Sequence, residues 1–372
     1  MYTWNKQELE LKRKLALLLR KPEYAKHYEL ILNQLNLTDE LFKPSDIMVN
    51  NRPSIIDYYE SLSRFSTGLE YLSEDTYMAM AEIFLMIEDH NAFNKKEELN
   101  PHFLTDSALI GLVRDMIESF HIKEFNSIYD KISNPTQHRL NIQKNDLSYT
   151  AGTLEYVGGI TLNDPLFNKS YINIFRNYTI EDAEVLLHEV MHAIYYSLMR
   201  PIYTKNKNNI YLLQELEGQF GSLYAYEYLS KQGFTQEMDR LKREYIDGLI
   251  TSSFLFIVNH VLFATSSNQQ FNLDKAMEQI NEQLKRPISL SFEELPTYLT
   301  LNGLETLTTM ISSLIALEIL DKDISLQDKV ELLTEIKASD SLDLDKNLDK
   351  YGVNFKENNF KVLRKTYQEL HK

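Results

Sequence analysis

His188-Glu189-Val190-Met191-His192 is the stretch whose residue types and spacing best fit chemistry. Histidines four positions apart share one face of a helix, so both can aim a ring nitrogen at a single metal ion. Zinc takes imidazole nitrogens at about 2.0–2.1 Å, and a catalytic zinc usually has three protein ligands and one open position. Glu189 follows His188 and falls beside that site. Its carboxylate could accept a proton from a metal-activated water and pass it to a leaving amine. The third ligand must come from elsewhere. A second helical segment, residues 211–228, carries Glu215 and Glu217. These are about 200° apart on a helix, so one of them is expected to face the metal. Residue type alone leaves both open.

Such side chains need rigid elements. Thr179 followed by Asp182 predicts a helix start with Thr179 as N-cap, and residues 183–199 continue with few breakers. Before it, residues 154–162 and 171–175 are short and β-rich, separated by the turn signal Asn163-Asp164-Pro165. They predict two strands in a hairpin or small sheet. Residues 7–132 read as successive amphipathic helices, at 6–19, 23–35, 54–72, 74–88 and 106–121. From Thr179 the helical period returns and persists to the C-terminus. Glycine (11) and proline (9) are scarce in 372 residues, which also favours helix. The expected fold is mainly α: a large multi-helix structure with a small β-hairpin or sheet beside the HExxH helix. The chain divides into an N-terminal helical region, 1–147, and a candidate catalytic region, 148–372, forming one continuous unit.

Composition narrows the function classes. Hydrophobic residues make up 43% and charged residues 25%, which fits a folded globular chain. A net charge of −15 argues against general nucleic-acid binding, which needs clustered Lys and Arg. The absence of cysteine excludes disulfide scaffolds, thiolate zinc sites and cysteine nucleophiles. Residues 248–265 are the most membrane-like, but Ser252, Ser253, Asn259 and His260 break the run, so a buried core helix is expected. The N-terminus has no apolar signal region. These features together predict a soluble, cytoplasmic protein with no membrane association. Asp343, Asp345, Asn347 and Asp349 alternate as in a calcium loop, but Leu348 replaces the required glycine and Asn354 the final glutamate, so no calcium site is expected.

The region from Leu154 onward resembles the zincin-like oligopeptidases, the M3-type zinc family that includes oligoendopeptidase F and the thimet-type enzymes. Three stretches carry the resemblance. Residues 171–179 lead into Asp182 and the His188–His192 helix as the family's strand does. Glu215-Leu216-Glu217-Gly218-Gln219-Phe220 resembles the segment in which the first glutamate is the third zinc ligand. The tail from Leu348 to Phe355 and the closing helix resemble the oligoendopeptidase F ending. The resemblance implies a zincin-like peptidase fold enclosing a substrate cleft, and one zinc ion per chain on His188, His192 and Glu215. It also implies Glu189 as general base and oligopeptide substrates.

The chain departs from the family at three places. Met191 stands where the family has glycine, and is expected to narrow or reshape the site. Tyr195 stands where many members have another histidine. The counterpart of the family's tyrosine-bearing segment, residues 300–310, holds no tyrosine; Tyr298 and His260 are the nearest substitutes. The N-terminal part is also shorter than in typical members, which implies a smaller lid over the cleft. Three functional readings follow: a zinc metalloendopeptidase acting on short peptides, a narrow-specificity peptide-processing enzyme of the same fold, and a weak or inactive peptide-binding protein that keeps the fold.

Overall fold

A strand hairpin feeds directly into the helix that carries His188 and His192. In a computed structural model of the chain, the described residues are 6–22, 102–144, 158–203, 213–249, 302–338, 348–353 and 361–370. A few single positions at 24–32 and 278–282 are described as well. The sheet has three strands in the order β1-β3-β2: β1 is Leu140–Lys144, β2 Gly159–Asp164 and β3 Lys169–Arg176. β2 and β3 are the expected hairpin, antiparallel with Gly159 opposite Ile174 and Thr161 opposite Ile172. Asn168, at φ 52°, closes the turn between them in the left-handed region that asparagine tolerates. β1 was not expected. It pairs parallel to β3, Leu140 opposite Ile172, and Asn141 Nδ2 donates to Asn173 Oδ1 at 3.0 Å.

The helices are α1 (Lys6–Leu18), α2 (Asp106–Ser119), α3 (Lys123–Ser133), α4 (Asp182–Tyr203), α5 (Leu216–Lys231), α6 (235–249), α7 (Asn302–Asp321), α8 (Leu326–Ala338) and α9 (Lys361–Leu370). Within the expected 23–35 helix the described positions are helical, whereas 54–72 and 74–88 lie outside the described residues. Among the described residues, no helix is long and apolar enough to cross a membrane.

α4 starts differently from the sequence reading. The Thr179 hydroxyl makes no hydrogen bond among the described residues. Instead the Asp182 carboxylate accepts from the Asn177 and Thr179 backbone N–H groups at 3.0 and 3.1 Å. It also accepts from Arg176 Nε at 3.0 Å. Arg176 is fully buried, pairs with Asp106 at the start of α2, and donates from Nη2 to the Leu104 carbonyl at 2.9 Å. One guanidinium thus fixes the end of β3, the start of α4 and the start of α2.

α5 packs along α4 on one side and α7 on the other. Nearly every residue from Leu216 to Tyr226 is buried. Leu186, Leu187, Val190 and Ile194 of α4 and Phe220 and Leu223 of α5 are all essentially solvent-free and belong to one apolar core. Burying each such side chain contributes about 1.5–3 kcal/mol. Apolar burial therefore holds the seam, and its polar side chains are available to the site. Met191 belongs to this core and is fully buried. A Cβ on Gly221 would come within 2.9 Å of Met191 Cγ, so the glycine of α5 makes room for the methionine of α4. Met191 thus packs against α5 at Gly221, one turn beyond Gly218.

The N-terminal segment docks on the hairpin turn. Tyr28 Oη donates to Asp164 Oδ1 at 2.8 Å, and Lys12 Nζ lies 2.5 Å from Oδ2. Leu9, Ala16, Ala25, Tyr28 and Leu32 form a small apolar cluster there.

Candidate active site

The four sequence-predicted residues converge where α4, α5 and β2 meet. His188 and His192 lie one turn apart on α4, with their Nε2 atoms 3.1 Å from each other. Glu215 Oε2 is 3.4 Å from both. Among the described residues these three form the one group of His, Asp and Glu side chains that could hold a metal. For metal–ligand bonds of about 2.0–2.1 Å, a tetrahedral ion spaces its ligand atoms about 3.3–3.4 Å apart. The observed triangle has that size. The donor set, two neutral imidazoles and a carboxylate with no thiolate, suits zinc.

Glu215 reaches this point from the N-cap of α5, where its carbonyl accepts from the Gln219 N–H at 2.8 Å. It occupies the turn before the helix, at φ −90° and ψ −4°. One of the two glutamates thus faces the Nε2 pair, as expected, and Glu217 approaches His192 from a different side. Its Oε1 accepts from His192 Nδ1 at 3.1 Å, while Oε2 pairs with Lys337 Nζ. His188 Nδ1 is 3.0 Å from Ser222 Oγ, and Ser222 also bonds Glu184. Both Nδ1 atoms are thus occupied, which leaves each Nε2 directed at the common point.

The titratable groups are strongly coupled. Burial pulls the His192 imidazole down, but Glu215 and Glu217 outweigh it and hold it well above the usual histidine value. His188 is raised in the same way by Glu215 and Glu189, against burial and the His192 charge. Burial favours a neutral Glu215, yet the two imidazoles hold its carboxyl well below the ordinary range. Glu217 is lowered against burial by Lys337 and His192. Half-buried Glu184 is raised, mainly by desolvation.

Glu189 faces β2. Its Oε2 accepts from Thr161 Oγ1 at 2.7 Å, and the same hydroxyl lies 2.9 Å from the Glu189 carbonyl. Gly159 gives Glu189 its space: a Cβ there would fall 2.6 Å from Glu189 Cγ. Gly218 does the same for the two imidazoles, since its Cβ would lie 2.5 Å from His188 Nε2 and 2.7 Å from His192 Nε2. The sequence reading missed Gly159, Thr161, Gly218, Ser222, Glu184 and Lys337. A glycine three residues beyond a candidate ligand was a usable sign of close approach; nothing local marked Lys337.

The substitutes for the family's tyrosines, Tyr298 and His260, lie outside the described residues. Tyr195 is buried one turn beyond His192 and turns away from the Nε2 pair, with its hydroxyl donating to the Val330 carbonyl of α8 at 3.2 Å.

No protein-family profile matches the chain, and no curated protein matches it in sequence. Solved structures do. It aligns with a candidate oligoendopeptidase F at 12% identity and a TM-score of 0.51. It aligns with a candidate peptidase from Chlamydophila abortus at 12% and 0.52, and with PZ peptidase A in complex with an inhibitor at 10% and 0.52. Each alignment covers 98% of this chain and 62–64% of the other. The chain has the mainly helical fold of these structures and spans a little under two thirds of their length.

Proposed function

We propose that the chain is a zinc-dependent peptidase that hydrolyses short peptides. The observation that carries this reading is the triangle of His188 Nε2, His192 Nε2 and Glu215 Oε2 at tetrahedral spacing, with Glu189 beside it. Those three residues would hold the ion. When bound, zinc supplies Lewis-acid polarisation of a peptide carbonyl and lowers the pKa of water. Glu189 is the general base: it takes a proton on its carboxylate and returns it to the leaving amine. Thr161 holds Oε2, which leaves Oε1 as the proton-accepting atom.

The edge of β2 is the peptide-binding surface in this reading. The Phe175 N–H donates to the Gly158 carbonyl at 2.9 Å, so antiparallel alternation turns the backbone groups of Gly159, Thr161 and Asn163 away from β3. An extended peptide laid along that edge gains main-chain hydrogen bonds with little demand on its side chains. Thr161 then binds peptide through its backbone and the base through its hydroxyl.

The test is incubation of the purified protein with a mixed oligopeptide pool, read by mass spectrometry, with and without a chelator and beside Glu189→Gln. Cleavage abolished by both controls is the expected result, with the glutamine variant reduced about 10²–10⁴-fold. The cut sites distinguish a broad oligopeptidase from a narrow processing enzyme. Stoichiometric zinc without turnover overturns the enzymatic reading in favour of a peptide-binding role.

A further inference from the structure

We propose that Lys337 is a positioning residue of the metal centre, acting through Glu217 on His192. This deepens the zinc reading and rests on it. Lys337 comes from α8, 120 residues beyond Glu217, and is 4% exposed. Its ammonium pairs with Oε2 of Glu217, itself 1% exposed, and Glu217 Oε1 holds His192 Nδ1 at 3.1 Å. The line therefore runs from ammonium to carboxylate to imidazole and ends at the Nε2 that faces Glu215.

Burying a lysine is expensive unless it is paired and hydrogen-bonded. The pairing here does a specific job. A carboxylate with one oxygen on Lys337 cannot swing, so the other oxygen fixes the His192 ring plane and keeps the proton on Nδ1. The Nε2 lone pair is then directed at the metal point. Tyr195 secures the same helix. Its hydroxyl bonds the Val330 carbonyl, and its ring lies 5.9 Å from Lys337 Nζ. α8 thus contributes a part of the site although none of its side chains is a ligand. His188 has a different support, the neutral hydroxyl of Ser222.

The experiment measures zinc affinity by competition with a chromophoric chelator, together with the visible spectrum of the cobalt-substituted protein. The variants are Lys337→Met, Glu217→Gln and the double variant, which leaves no unpaired charge buried if the first fails to fold. Lys337→Met is expected to weaken zinc about 10-fold or more and to alter the cobalt bands. In the Glu217→Gln background it should change neither any further, because the lysine has lost the group it acts through. Wild-type affinity and spectrum in Lys337→Met, or losses that simply add in the double variant, overturn the proposal. A wild-type chain that takes up no zinc overturns the metal reading itself, and is distinguished from both by that control.

Discussion

Replacing Gly218 by alanine places a methyl group against the two imidazoles, at the point where the proposed ion would sit. The new Cβ would stand 2.5 Å from His188 Nε2, 2.6 Å from Cε1 and 2.7 Å from His192 Nε2, whereas ordinary contact begins at 3.4 Å. The overlap is therefore about 0.7–0.9 Å, and both ligating atoms share it. Metal sites tolerate ligand shifts of about 0.2 Å, so the displacement is about four times what the centre can absorb. The cost to the fold is smaller: overpacking of one methyl in a tight core costs about 1–3 kcal/mol. A chain of this size should lose no more than about 10 °C of Tm. Gly218→Ala is thus expected to weaken zinc by at least about 100-fold while unfolding cooperatively, as judged by chelator competition and by thermal unfolding in excess chelator. Gly221→Ala is the control. Its Cβ meets Met191 Cγ at 2.9 Å and the His188 Cα only at an ordinary 3.6 Å, with neither imidazole nitrogen among its nearest contacts, and zinc should be retained. A Gly218→Ala protein that binds zinc like wild type would refute the close approach of α5 to the histidines.

Two further outcomes follow from the geometry. Glu215→Ala should abolish stoichiometric zinc at micromolar concentrations, while Glu217→Gln keeps most of it; metal analysis after desalting checks this, and the reverse order would exchange their roles. Arg176→Met leaves Asp182 buried beside the start of α4 without its guanidinium, and breaking such a pair costs about 3–5 kcal/mol. Denaturant unfolding measures the loss, and an unchanged midpoint contradicts the account of how α4 is anchored.

The metal motif was legible because it is local. His188, Glu189 and His192 depend only on the period of one helix, and the hairpin before them depends on alternation and a turn signal. β1 was illegible because four half-buried residues and an exposed lysine with no flanking glycine resemble the end of a helical run; its identity comes from β3 alongside. Half of the cap read at Thr179 is present, since Asp182 reaches back to the Thr179 N–H, but the threonine hydroxyl serves no donor and the Asp182 N–H goes to the Thr179 carbonyl instead. The wheel argument for Glu215 and Glu217 allowed one of them at the metal point, and the structure sets Glu215 there and Glu217 behind His192, although the helix starts at Leu216 and not at residue 211. Lys337 was invisible: an isolated lysine on an amphipathic segment normally faces water, and only the docked fold reveals a buried carboxylate waiting for it.

The order of these residues along the chain bears on biosynthesis. Thr161, the histidines, Glu189, Glu215, Glu217 and Ser222 emerge from the ribosome within one run, but Lys337 follows Glu217 by 120 residues. A carboxylate is costly to bury without its cation, so Glu217 favours water until α8 has been made. The first turn of α5 is therefore expected to close fully against α4 only once α8 has been made, so that the proposed metal site would be completed by a helix that supplies it no ligand.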